Sequence, residues 1–187
     1  MMHLYKWNIF FTTVWLWCAI FISGCDLSTS NDPLVEERGW FTIRLTGDIE
    51  DEFSGEAIYA YFRHPESGAH GAVLNFFTTK LRVTLTGNIS RFTSRSTYNI
   101  EKYDEDLVFS DVLSEGAFFG FIVNDDPLYS DNFFSQAGII EIGTITNDRM
   151  EGSINFMAEG FTLSEPLDTV RVTITGDFEA IKGSLEF

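Results

Sequence analysis

Few side chains in this sequence could do chemistry, and they are unevenly spread. His64, Glu66 and His70 fall within seven residues and could approach one metal ion. Zinc wants three or more protein ligands in fixed geometry with a supporting shell. Pro65 and Gly68 punctuate the same stretch, so a surface loop is expected there and no metal is assigned. Acids gather at three places: Asp48 with Glu50, Asp51 and Glu52; Asp104 to Asp106; and Asn124 to Asp126 with Asp131. Calcium needs six to eight oxygens around one point, and none of the groups has the spacing of an EF-hand loop. Asp125, Asp126 and Asp131, with His64 and His70, are the residues a metal would use if loops pooled their ligands. A Ser–His–acid set would have to recruit His64 or His70, and no Gly-x-Ser-x-Gly elbow exists. Any two of the 28 acids could face each other for sugar cleavage, so their abundance carries no signal. The expectation is a protein without catalysis and without a cofactor.

The cysteines point elsewhere. Cys18 sits inside an apolar run from Trp7 to Ile22 that follows Lys6, and Cys25 ends it after the small residues Ser23 and Gly24. A positive start, a greasy centre and a small-residue exit are the parts of a secretory signal. The run is shorter than the roughly 20 apolar residues a membrane span prefers, and it carries Asn8, Thr12 and Thr13. Its end, Ile22-Ser23-Gly24-Cys25, resembles the lipobox of bacterial lipoproteins. That resemblance implies cleavage after residue 24, lipidation of Cys25 with fatty chains such as palmitate, and a place in the cell envelope facing the periplasm or cell surface. Several acyl chains, at about 0.8 kcal/mol per buried CH₂, anchor a protein stably where one does not.

On this reading residues 1–24 are a signal peptide, 25–38 are the lipidated Cys and a polar tether broken by Pro33, and 39–187 are one domain. Loss of Lys6 leaves 11 cations against 28 acids, a net charge of −17. Such a charge opposes nucleic acid and anionic lipid headgroups by simple repulsion, so the expected partners are the membrane, through Cys25, and a protein or carbohydrate of unspecified kind. A mature fold without Cys18 has no disulfide and no thiol-based metal site.

The elements that would position any site are strands. Phe41, Ile43 and Leu45 alternate with Thr42, Arg44 and Thr46, the period of a half-buried strand. Residues 51–55 read as a turn, 57–62 as a second strand, and 72–79 and 81–90 as two more joined near Thr79-Lys80. Further strands are expected over 96–100, 107–109, 117–123, 138–146, 150–158, 169–179 and 181–187, with a hairpin turn at Asn147-Asp148. No window of a dozen residues holds a helical period. About ten short strands with sixteen mature Phe residues predict an antiparallel β-sandwich or flattened β-barrel.

Three segments echo one another: Leu45-Thr46-Gly47-Asp48, Leu85-Thr86-Gly87-Asn88 and Ile174-Thr175-Gly176-Asp177. Each Gly marks a bulge, a close neighbour or a turn; apolar alternation running in phase across Gly176 favours the bulge. Trp40, Tyr59, Tyr61 and Tyr103 could stack on a sugar or lipid, but rings in strands more often belong to the core. Tyr59 and Tyr61 share a face with Ala57 while Ile58, Ala60 and Phe62 share the other, as in a strand buried on two sides or lining a cavity.

With Phe53-Ser54-Gly55-Glu56-Ala57, Thr97-Tyr98-Asn99-Ile100, Met150-Glu151-Gly152-Ser153-Ile154 and Val172 to Phe178, the chain is similar to a group of uncharacterised all-β bacterial lipoproteins with Gly-punctuated strands. This implies the fold and the anchor and no activity. Three classes follow: a binding or structural module, a lipocalin-like carrier with an apolar cavity, and an envelope hydrolase. The interior separates the first two, since a filled core suits a module and a hollow lined by Phe and Tyr suits a carrier.

Overall fold

The computed structural model describes residues 38–63, 68–103, 115–124, 132–163 and 165–183. Ile22, Ser23, Gly24 and Cys25, the residues His64, Asp125, Asp126 and Asp131, and the strand expected over 107–109 lie outside that set.

Nine strands run along the described chain: β1 (Trp40–Gly47), β2 (Asp51–Arg63), β3 (His70–Phe77), β4 (Leu81–Gly87), β5 (Ser96–Ile100), β6 (Phe118–Asn124), β7 (Asn132–Ile145), β8 (Arg149–Phe161) and β9 (Thr169–Lys182). They form one sheet in the order β1-β2-β3-β4-β6-β5-β7-β8-β9, and β9 pairs back to β1 to close a ring. Closure leaves no long free edge, which is how a small all-β domain avoids edge pairing. The ring is uneven. The five-residue β5 wedges between β6 and β7 at one end, and β6 pairs directly with β7 beyond it. Nearly all pairings are antiparallel. Two short parallel patches, Ile58–Ile181 with Tyr59–Lys182 and Ile100–Phe118, make the sheet mixed where the expectation was wholly antiparallel.

The period of two sets the core. In β1 Phe41, Ile43 and Leu45 point inward while Thr42 and Arg44 point out, and the same alternation runs through β8 and β9. Phe41, Phe76, Phe118, Phe133, Phe156 and Phe178 are at most 2% exposed. Each such ring contributes about 1.5–3 kcal/mol relative to exposure. Phe76 joins Phe41 and Phe178 edge-on, with centroids 5.5 and 5.2 Å away. A ring of nine strands has limited room for so many aromatics, and inward glycines supply it. Gly55 faces Phe41, and a Cβ there would come within 2.9 Å of that ring. Gly152 makes the same room for Phe178, at 2.8 Å.

Gly55 corrects one expectation. Residues 51–55 do not turn the chain; they open β2, and the turn is the short span 48–50 before it. The sequence Asp-Glu-Phe-Ser-Gly has turn composition, but its Gly is there for the neighbouring ring. Gly176 corrects another. It pairs in unbroken register with Ile43 on β1 and Ile154 on β8, so β9 has no bulge there. A bulge inserts a residue and reverses the inward phase, so alternation continuing across Gly176 was a sign of its absence. Register shifts occur instead in β7, between Ser135 and Ala137 and between Ile142 and Ile145. No separate strand begins at Ile181, because β9 runs through to Lys182. The hairpin at Asn147-Asp148 is present, with the Thr146 N–H donating to the Arg149 carbonyl at 2.9 Å.

Candidate functional site

The interior is packed. A hollow large enough for a ligand would leave its lining accessible to water, yet Leu74, Phe76, Val83, Leu85, Phe118, Ile140 and Ile174 are all 0% exposed. Openings lie at one end of the barrel and on its outer face.

The end opening is built from β2, the β4–β5 connection, the β7–β8 hairpin and the end of β9. β2 carries Tyr59 and Tyr61 up its inward face toward the end where the chain enters at Gly39–Trp40 and leaves after Lys182. The connection from β4 to β5, residues 88–95, folds over that end. Its Ile89 and Phe92 turn inward as a plug, while Ser90 and Arg91 stay exposed. Phe92 stacks on Phe118 (5.5 Å, 18°) and meets Tyr59, Tyr61 and Tyr98 edge-on or tilted. Its N–H donates to the Tyr61 hydroxyl at 3.0 Å, and the Thr93 N–H donates to the Tyr98 hydroxyl at 2.9 Å. The β7–β8 hairpin brings Ile145, Thr146 and Asn147 to the same rim.

Between these pieces is a cavity of about 360 Å³ whose floor is Tyr59 and Tyr61 and whose rim carries Arg91 and Lys182. A neighbouring hollow of about 370 Å³ shares Arg91, Thr146 and Asn147 and adds Thr93 and Ser94. Burial pushes the phenol of Tyr59 above its ordinary value, and the nearby Tyr61 and Asp148 push the same way against Arg91. Burial also raises Tyr61, opposed by its bond from the Phe92 N–H and by Arg91. Both phenols are therefore neutral donors at physiological pH.

The outer opening is a shallow groove of about 470 Å³ across β1, β2, β7, β8 and β9. Register aligns its side chains: Arg44 lies opposite Glu52 and Thr175, Ser153 opposite Glu141 and Asp177. Ser153 donates to Glu141 at 3.4 Å. A serine beside a carboxylate has no base of its own, and no described histidine reaches this face.

Of the residues singled out from sequence, His70 opens β3 opposite Arg63 and is exposed. Among the described residues no three His, Cys, Asp or Glu side chains gather as metal ligands. Asp48 instead accepts from the Arg171 N–H at 2.8 Å, and Asp51 from the Glu52 N–H at 2.8 Å, so both acids serve the backbone of the turn. The four aromatics do not form one face. Trp40 is half exposed at the start of β1, Tyr59 and Tyr61 join the end plug, and Tyr103 lies beside Phe119 and stacks on Phe134 at 4.7 Å.

Sequence reasoning missed Ser135. It is the one fully buried polar residue among those described; its hydroxyl accepts from the Gly120 N–H at 2.9 Å and donates to the Glu101 carbonyl at 2.8 Å. It satisfies backbone groups on β6 and just past β5, where the β5 pairing ends and β6 begins to pair with β7, a role no local motif announces. Sequence reasoning also missed that Arg91 and Lys182, 91 positions apart, line one opening, Lys182 being brought beside Tyr59 by the parallel contact of β2 with β9.

No protein-family model, no curated protein and no solved structure matches the chain.

Proposed function

We propose that this chain is a lipid-anchored cell-envelope protein whose β domain binds a partner and catalyses nothing. Its packed interior carries the reading. The fully buried Leu74, Phe76, Phe118 and Ile140, placed where a lipocalin-like carrier would keep space open, support a module over a carrier. The lipobox Ile22-Ser23-Gly24-Cys25 supplies the anchor, and the tether over 26–38 reaches at most about 45 Å when extended. Because the chain enters the barrel at Gly39–Trp40, the end holding Tyr59, Arg91 and Lys182 is the one next to the tether.

Growth with a fatty-acid probe tests the anchor. The wild-type chain should take up label and sediment with membranes, and Cys25→Ala should lose both. Equal labelling of the variant would refute it. A carrier would instead extract a lipophilic dye into its interior, which this domain should not do.

A further inference from the structure

We infer that the cavity at the tether end of the barrel is a site for a phosphate-type oxyanion, with Arg91 and Lys182 as its cations and the Tyr59 hydroxyl as its deepest donor. The inference deepens the reading of the domain as a binding module and rests on it. The chain carries 28 acids against 12 cations, so a cation here has many possible carboxylate partners. Three of the described cations have taken one: Arg38 holds Glu56 at 2.6 Å, Arg171 holds Glu159 at 2.6 Å, and Arg149 holds Glu179. Arg91 and Lys182 reach one opening from opposite sides and pair with no carboxylate among the described residues.

Below them is a buried group that lacks what its neighbours have. The hydroxyls of Tyr61 and Tyr98 each receive a backbone N–H, but Tyr59, 2% exposed and lining the cavity, has no hydrogen-bond partner for its hydroxyl among the described residues. Buried hydroxyls are nearly always satisfied, so an unmet one at the floor of an open cavity points to something that enters. A neutral phenol donates, as do Ser90 and Asn147 around the rim. Two cations with several neutral donors, the deepest a phenol, match an oxyanion. Asp148, whose charge acts on the Tyr59 phenol, accepts from the Thr146 hydroxyl at 3.4 Å.

The phosphate could come from free solute or from a lipid headgroup of the membrane beside the tether. Calorimetric titration of the full chain in non-ionic detergent at fixed ionic strength separates them, with inorganic phosphate in one arm and phosphatidylglycerol micelles in the other. Saturable binding in either arm, weakened at least tenfold by Arg91→Gln or Lys182→Gln and several-fold by Tyr59→Phe, is the expected result. The arm that responds names the source. Melting temperatures of the three variants without phosphate should match wild type, since these side chains make no structural contact that would be lost. No saturable heat in either arm, or binding that survives all three substitutions, would overturn the site. That result would leave the anchor standing if Cys25 still takes label, so the two readings fail separately.

Discussion

The two ends of the barrel are made differently. At the far end the 48–51 stretch and the β8–β9 hairpin carry Asp48, Asp51 and Glu159, and these carboxylates are used up: Asp48 and Asp51 on backbone N–H groups, Glu159 on Arg171. Its hairpin also exposes Leu163 (57%) and Leu167 (69%). At the tether end an aromatic plug closes the core, and the charges above it, Arg91 and Lys182, are cationic and uncommitted. The far end meets its own needs with bonds inside the fold. The tether end is held by long-range packing and keeps donors to spare, the condition for recognising something outside the chain.

The largest test of that contrast is to remove the plug. Phe92→Ala should cost about 3–5 kcal/mol, because a buried ring touching four others leaves a cavity that the sheet cannot collapse around. Leu167→Ser at the far end should stay within about 0.5 kcal/mol. Urea unfolding of both variants measures the difference, and similar losses would mean that the two ends are equally structural. Gly138→Ala tests the same packing at mid-barrel. The new Cβ would collide with the Cβ of Phe156 and the Asn155 carbonyl of β8, and a cost of about 1–3 kcal/mol or more follows where backbone must move.

Ser135→Ala should be next, at about 1–3 kcal/mol, since it strands the Gly120 N–H in a fully buried place. Hydrogen exchange should locate the loss at Gly120 and neighbouring β6 amides. A loss spread evenly over the domain would show that the serine matters for volume and not for its two bonds.

Much of this barrel was legible, for a physical reason. Alternation in β1, β8 and β9 reports the inward face directly, and the Asn147-Asp148 turn reports its hairpin, because both signals are local. Ring closure was not legible, since the β9–β1 pairing joins Trp40 to Glu179 across the whole domain. Glycine was misread for the same reason. Gly55 and Gly176 answer to atoms on neighbouring strands, the Phe77 carbonyl and Phe41 ring for one and the Thr42 carbonyl and Ile43 for the other, while composition alone reads them as turn and bulge. The tether-end site was half legible: Tyr59 and Tyr61 stood out as rings on a strand with two apolar faces, but the cations above them arrive from residues 91 and 182.

The subtlest difference between the ends should emerge in alkali. Burial holds the phenols of Tyr59 and Tyr61 above their ordinary value, so the folded chain keeps protons that the unfolded chain gives up near pH 10. Their contribution is fully present below that pH and is lost as pH rises through the folded value. Tyr59→Phe removes one of these groups. At neutral pH it should leave stability almost unchanged, because the hydroxyl it deletes has no partner to lose among the described residues. Above about pH 10 the variant should lose stability less steeply than wild type. Urea midpoints from pH 7 to 11 measure both arms. A neutral-pH loss as large as that of Ser135→Ala would mean the Tyr59 hydroxyl is already satisfied within the fold, and the tether end would then be as self-contained as the far one.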